Sequence, residues 1–504
     1  MEWSSPANEK LRGDSVRSYK TDYAPDDPGV WHQVTNFFPT PQGTYATAKQ
    51  YSAGQSMTAT GELAESGYYA YCFSTTTTYA AWLGTTSKIW RVVGALTDAT
   101  GGVATGTSKG VMCQYGDLTI LATGSGGSEL AAATASGSFA TFATGLKADF
   151  IVTQSNCLLA FSTAHASLTS TGGDAWAASD VGDYTNFTPG AAVEAANGRL
   201  LQTPGKVTGA IAFAGSVYAF KRNAIYRGTY VGGAVKWQWE LVHVGVGMAI
   251  DEDWARRAII SCRDVIVFPA HYDSAGRFAI YAFDGVNVRR LNKDVSVLLS
   301  DTSRTALHYD ARLNQLRISG NGSTGTSYCY SFDTDQWGTQ SAVNGVSIIG
   351  DYADVSYMFK AINASFGYPA FWNLYGPIIL TPGTNTVTIK SPTTAETGVP
   401  YTSTIAGSMV GTQNKKTTFK SVYPILRSRS TVGSGTPSVT AQINLYTEKH
   451  DTSASRNLSL TEDTTRDRFP ALGTDTYGRP YLFWVNTAIE IDDLLMETIP
   501  AGTD

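Results

Sequence analysis

The chain has 504 residues, with 50 glycines, 16% charged residues and a formal net charge of −5. That length exceeds what one hydrophobic core organises, so two or three folding units are expected. The acidic balance, without any basic block, argues against tight sequence-independent nucleic-acid binding, which needs clustered Lys and Arg to neutralise phosphates.

Residues 1–44 read as an extended N-terminal arm. They are polar, with Pro25, Pro28, Pro39 and Pro41 between the aromatic anchors Trp31, Phe37 and Phe38. The opening MEWSSPANEKLRGDS lacks the apolar stretch of a signal peptide. No apolar run reaches about 18 residues, so no membrane span is expected. The expectation is a soluble protein made in the cytoplasm. Arg12-Gly13-Asp14 matches an integrin-type tripeptide, and its plainer reading is a turn.

From Tyr45 to residue 376 the chain repeats one form, a pair of apolar strands about a tight turn. In chain order these are Tyr68–Phe73 with Tyr79–Val93, where Trp82 and Trp90 flank a turn at Gly84, then Val111–Gly124 and Phe150–Phe161. Ile211–Tyr230 follows, turning at Gly215 and Arg222-Asn223, then Ala258–Ala270 around Arg263-Asp264, and Arg277–Arg290 around Asp284-Gly285. In Thr305–Gln340, Tyr328, Tyr330 and Phe332 alternate with Cys329, Ser331 and Asp333, which predicts a strand with an aromatic face and a polar face. Trp337 is placed to fold back over that hairpin, and Val346–Phe359 is one more unit. A hairpin with one aromatic face cannot bury itself alone, and units recurring roughly every 35–60 residues fit a propeller. Two stretches interrupt the pattern. Ser125–Gly145, rich in Ala, Gly, Ser and Thr, reads as a surface loop, and Gly172–Gly190 as a second loop that carries Trp176, Tyr184 and Phe187.

Residues 377–504 differ in texture. Thr386–Lys390, Thr417–Arg427, Ser438–Glu448 and Tyr481–Glu490 read as strands of a second β domain, with YLFWVNTAIEI a long central strand. The expected architecture is all-β: a β-propeller of about six to eight blades over 45–376, a C-terminal β-sandwich-like domain over 377–504 and the extended arm.

No catalytic, cofactor-binding or metal-ligating residue is assigned. His32, His165, His243, His271, His308 and His450 are scattered without H-x-x-x-H spacing, and no phosphate loop or nucleophile elbow occurs. Asp333 and Asp335 have the spacing of hard-oxygen ligands for Ca²⁺, beside the plainer reading of a turn cap. Asp251-Glu252-Asp253 and Asp492-Asp493 are further acidic clusters. Paired acids for glycoside cleavage need only spatial closeness, and 27 Tyr with 11 Trp would suit sugar stacking. Cys72, Cys113, Cys157, Cys262 and Cys329, odd in number and without C-x-x-C, read as free buried thiols of a reducing compartment. The sequons at Asn321, Asn363 and Asn457 carry meaning only after secretion.

Three stretches in order carry a resemblance: DAWAASDVGDYTNFTPG ahead of LLQTPGKVTGAIAF; Val207–Gly247 with VYAFKRNAIYRGTY, Trp237, Trp239 and LVHVGVG; and Ala258–Leu291 with VIVFPA and YAFDGVNVRRL. With the closing PYLFWVNTAIEIDDLLMETIPAGT, the chain resembles the β-propeller tail proteins of short-tailed bacteriophages, the tail hub (packaged-DNA-stabilisation) and tail nozzle group. The resemblance covers about two thirds of the chain and transfers no functional residue. It implies a non-enzymatic virion subunit in an oligomeric ring, usually six copies, below the portal and adaptor. That ring extends the channel, retains packaged DNA and opens for ejection, with DNA passing unbound. The alternative is a carbohydrate-binding or carbohydrate-cleaving propeller acting in receptor binding. A third reading is a host propeller acting as a protein-interaction platform.

Overall fold

The computed structural model describes residues 8–11, 33–47, 51–57, 64–71, 79–85, 88–93, 95–103, 111–124, 126–142, 145–165, 168, 171–248, 258–271, 278–291, 306–310, 313–321 and 326–340. Beyond these it describes strands at 379–382, 387–392, 402–406, 410–411, 417–431, 438–446, 460–462, 469–475, 477–485 and 487–500. Trp31, Cys72, the Arg12-Gly13-Asp14 tripeptide, the Asp251–Asp253 cluster, Val346–Phe359, Asn363, His32, His450 and Asn457 lie outside the described residues.

Among the described residues the structure is all-β. Six four-stranded antiparallel units follow one another, at 64–98, 111–141, 147–199, 207–244, 260–290 and 306–340. Each is an up-and-down meander in which every strand pairs with the next. The first strands lie side by side from unit to unit, from Ala64–Tyr71 through Val111–Tyr115, Lys147–Gln154, Val207–Phe213 and Ile260–Cys262 to Ala306–Asp310. A further sheet orders Ile379–Pro382, Val387–Pro392 and Tyr51–Met57. Its Ile379–Pro382 strand lies beside Ala64–Tyr71, which brings the ring round to its start. This is a β-propeller, and the units are its blades.

The turns are made by the residues the sequence offers. Ser155 and Asn156 both take positive φ, 51° and 58°, as a two-residue hairpin turn of primed type requires. Asp284 Oδ1 accepts the N–H groups of Val286 and Asn287 at 2.9 and 2.7 Å, capping the turn where Gly285 takes φ 101°.

Blades pack face to face, so their strands are buried on both sides and period 2 sorts residues between two interfaces. In blade three, Phe150, Leu159, Phe161 and Trp176 join the core shared with blade four, where Val217, Tyr218 and Phe220 meet them. Ala148, Ile151, Leu158, Ala160 and Ala177 join the core shared with blade two. Blade five divides likewise: Ile266 and Phe268 face blade four, whereas Val267, Ala279 and Ile280 meet Leu307, Leu316, Ile318 and Tyr330 of blade six. The polar face expected beside Tyr328 and Tyr330 is therefore buried too, with Cys329 and Ser331 fully enclosed. Phe332 lies past the end of the Thr326–Ser331 strand. Trp337 does fold over the hairpin, 4.9 Å from Tyr330 between ring centroids.

Several sequence readings are corrected. Ser125–Gly145 is not a surface loop, because Ala131–Thr134 and Ala140–Thr141 form the outer half of blade two. Its alanines lie against Trp82 of blade one, whose ring meets Phe139 at 4.9 Å, so the bulk comes from the neighbouring blade. Gly172–Ala178 is a strand, and the loop begins at Ser179. Gly84 lies inside the Tyr79–Thr85 strand.

Sheet pairing also divides the chain differently from the boundaries at 44 and 376. Phe37–Pro39 pairs with Gln336–Gln340 of blade six and with Tyr45–Thr47, which pairs with Thr487–Pro500, and Thr417–Thr431 and Phe469–Asp475 follow. Blade six thus runs on into one sheet of the C-terminal part. The second sheet orders Gln33–Thr35, Thr402–Ala406, Tyr477–Val485, Ser438–Tyr446 and Leu460–Glu462. The two sheets approach where Thr417–Thr431 meets Tyr477–Val485 and Ser438–Tyr446 meets Phe469–Asp475, a sandwich-like arrangement. YLFWVNTAIEI is two strands: each is central, but the chain changes sheets at residue 486. An apolar pattern without a turn dipeptide hides such a corner.

Candidate functional site

The residues with chemical potential serve mainly to hold turns. Asp333 Oδ1 accepts the Asn314 side-chain amide at 2.6 Å, and Asp335 Oδ1 accepts the Tyr330 hydroxyl at 2.6 Å. The pair caps the outer end of blade six, and no group of three or more His, Cys, Asp or Glu suited to a metal occurs among the described residues. His165 Nδ1 accepts the Leu168 N–H at 3.1 Å.

The described cysteines are free thiols. Burial pushes Cys113 up to about 12 and Cys157 up to about 11, the latter against the Trp237 indole N–H, and burial raises Cys262 as well. A thiol kept neutral in the fold favours folding fully below its unfolded pKa of about 9, and that contribution is lost as pH rises through the folded values. Their burial makes these thiols packing groups of the blades.

The densest polar and aromatic construction lies where blades three and four meet. Trp176, Trp237 and Trp239 stand together, Trp176–Trp239 at 5.4 Å and Trp237–Trp239 at 6.5 Å between centroids, with Phe161 edge-on to Trp239 at 5.7 Å. Gly198 and Gly228 make room for these indoles: a Cβ on Gly228 would stand 2.5 Å from the Trp239 ring. The aromatic residues that could have stacked on a sugar here stack on one another.

Two lysines fasten the long connections of blade three to blade four. Lys221, 1% exposed, donates to the carbonyls of Leu200 and Thr203 and lies 5.5 Å over the Tyr226 ring. Burial lowers its pKa, with Asp174 opposing. The Lys236 ammonium donates to the carbonyls of Gly190 and Val193, while the Tyr230 hydroxyl donates to Glu194. Loop 179–195 is thereby held as a fixed feature and not a free tether. Its own Asp183 is lowered by the Thr185 hydroxyl and then by the Thr185 N–H.

The first and third turns of every meander share one end of the blades. That end carries Asp117, Asp180, Asp183, Asp264, Asp284, Asp333 and Asp335, against Arg263, the internally engaged Lys236, and Arg289 beside Tyr330. It also presents Val181, Val235 and Val286, exposed by 40, 62 and 70%. Sequence reading located Asp264, Asp284, Asp333 and Asp335 as turn formers and placed Asp180 and Asp183 in a loop. That they gather at one end follows only from the meander topology.

No family model and no curated protein matches the chain. Solved structures similar to it include a chain of the mitotic checkpoint complex, at 9% identity and TM-score 0.39 over 68% of this chain and 96% of that one. The Pan2 WD40 domain of Neurospora crassa is similar at 11% identity and TM-score 0.38, over 67% of this chain and 98% of that domain.

Proposed function

We propose that this chain is a structural subunit of a short-tailed bacteriophage tail, of nozzle or hub type. It forms an oligomeric ring below the portal and adaptor, extends the DNA channel, retains the packaged genome and permits its ejection. The observation that carries the reading is the blade end that presents both aspartates and exposed valines on its turns. Preorganised apolar points among charges suit contact between protein subunits. The carboxylates repel a phosphate backbone, so DNA leaving past such a surface does not adhere to it. The thiols, neutral and enclosed, suit assembly in a reducing cytoplasm.

The test is negative-stain imaging of the purified chain over a concentration series, with mass measured in parallel. Closed rings or short tubes with a central hole are the expected result. Single-chain particles at every concentration, together with binding or cleavage of a host-surface polysaccharide, would favour the receptor-binding alternative.

A further inference from the structure

Among the described residues the propeller ring has one seam, built by two segments that lie on either side of the six blades in sequence. Every four-stranded blade closes through strands adjacent in sequence, whereas the seam sheet joins Tyr51–Met57 to Val387–Pro392, on the far side of six blades. Just upstream, the same N-terminal segment is attached quite differently. Phe37–Pro39 and Tyr45–Thr47 are each paired on both sides, Phe37 and Tyr45 are 0% and 1% exposed, and side chains lock the segment in place. The Tyr45 hydroxyl donates to the Trp337 carbonyl at 2.8 Å, the Thr44 hydroxyl to Glu490 at 2.6 Å, and Thr47 Oγ1 both donates to the Ile489 carbonyl and accepts its N–H. Tyr51–Met57, by contrast, is the end strand of its sheet among the described residues, paired there on one side only, and a register shift between Thr388 and Lys390 interrupts that pairing.

We propose that these two attachments form an anchor and a latch. Residues 36–47 stay fixed to blade six and the C-terminal sheet, while Tyr51–Met57 releases Val387–Pro392 and re-engages it. An edge strand loses one row of hydrogen bonds to open, and a strand paired on both sides must lose two. The anchor keeps the released strand close to its partner, so reopening and closing need no long-range search. The ring therefore opens at one place, under the control of two segments distant in sequence, without unfolding the blades between. This holds whatever the role of the protein, because it rests on strand pairing alone.

Hydrogen exchange on the full chain tests it. Amides of 51–57, and those of 387–392 that bond across to them and not to Ile379–Pro382, are expected to exchange together, about tenfold or more faster than those of 37–39, 45–47 and 217–221. Ser52 and Ser391 are register partners, and Cα atoms about 4.5–5.5 Å apart lie within disulfide reach. Oxidised Ser52→Cys/Ser391→Cys should bring the latch down to the anchor's rate and leave 217–221 unchanged. A latch as protected as the anchor in the wild type, unrelated rates for 51–57 and the amides of 387–392 bonded to it, or an oxidised variant with unaltered exchange would each overturn the proposal. Should the variant not fold, the wild-type comparison decides.

Discussion

Phe220→Ala should destabilise the chain by about 3–5 kcal/mol, the range for emptying a large aromatic site in a well-packed core. Phe220 is fully buried, 4.9 Å from Phe268 between ring centroids, and lies in the cluster that joins blades three, four and five. The strands on either side are fixed by their ladders, so the cavity cannot collapse cheaply. Val231→Ala, on a side chain 50% exposed, removes little packing and should move stability by less than about 0.5 kcal/mol. Denaturation midpoints of the two variants against the wild type provide the measurement. Equal shifts would mean that the inter-blade core is not what holds the ring.

Gly338→Ala acts at a distance from that core and by the opposite physics, overpacking. A Cβ at residue 338 would overlap the Phe37 carbonyl oxygen and approach Pro39 Cδ at 3.0 Å and Phe38 Cα at 3.1 Å. Two of these are backbone atoms of the paired strand, so relief requires the strand to move and not merely a side chain to turn. The cost is about 1–3 kcal/mol, concentrated on the N-terminal segment. Residues 36–47 should lose exchange protection while 217–221 keeps it. Unchanged protection at 36–47 would show that the segment is not attached through this contact.

The contrast between these sites tracks what the sequence reveals. Blade hairpins were legible because everything that forms them is local: Ser155-Asn156 and Asp284-Gly285 set the turns, and alternating apolar residues set the strands. Ala131–Thr134 was not legible, since its burial depends on Trp82 and Phe139 filling the space beside small residues. Nor were the pairings of Phe37 with Thr339 and Tyr45 with Ile491, which join segments about 300 and 450 residues apart with no local signature. Of the candidate residues, Asp333 and Asp335 resolved into turn caps through Asn314 and Tyr330, partners that only the folded hairpin brings within reach. The attachments of loop 179–195 by Lys236 and of residues 200–203 by Lys221 escaped sequence reading for the same reason, because their acceptors are main-chain carbonyls.

For a structural subunit of a phage tail, a stop codon in this reading frame of the phage genome, with packaging and infectivity scored separately, is the decisive measurement. Heads are expected to fill with DNA but fail to retain or deliver it, with infectivity restored when the full chain is supplied in trans. Infectious particles at undiminished titre without this protein would contradict that role.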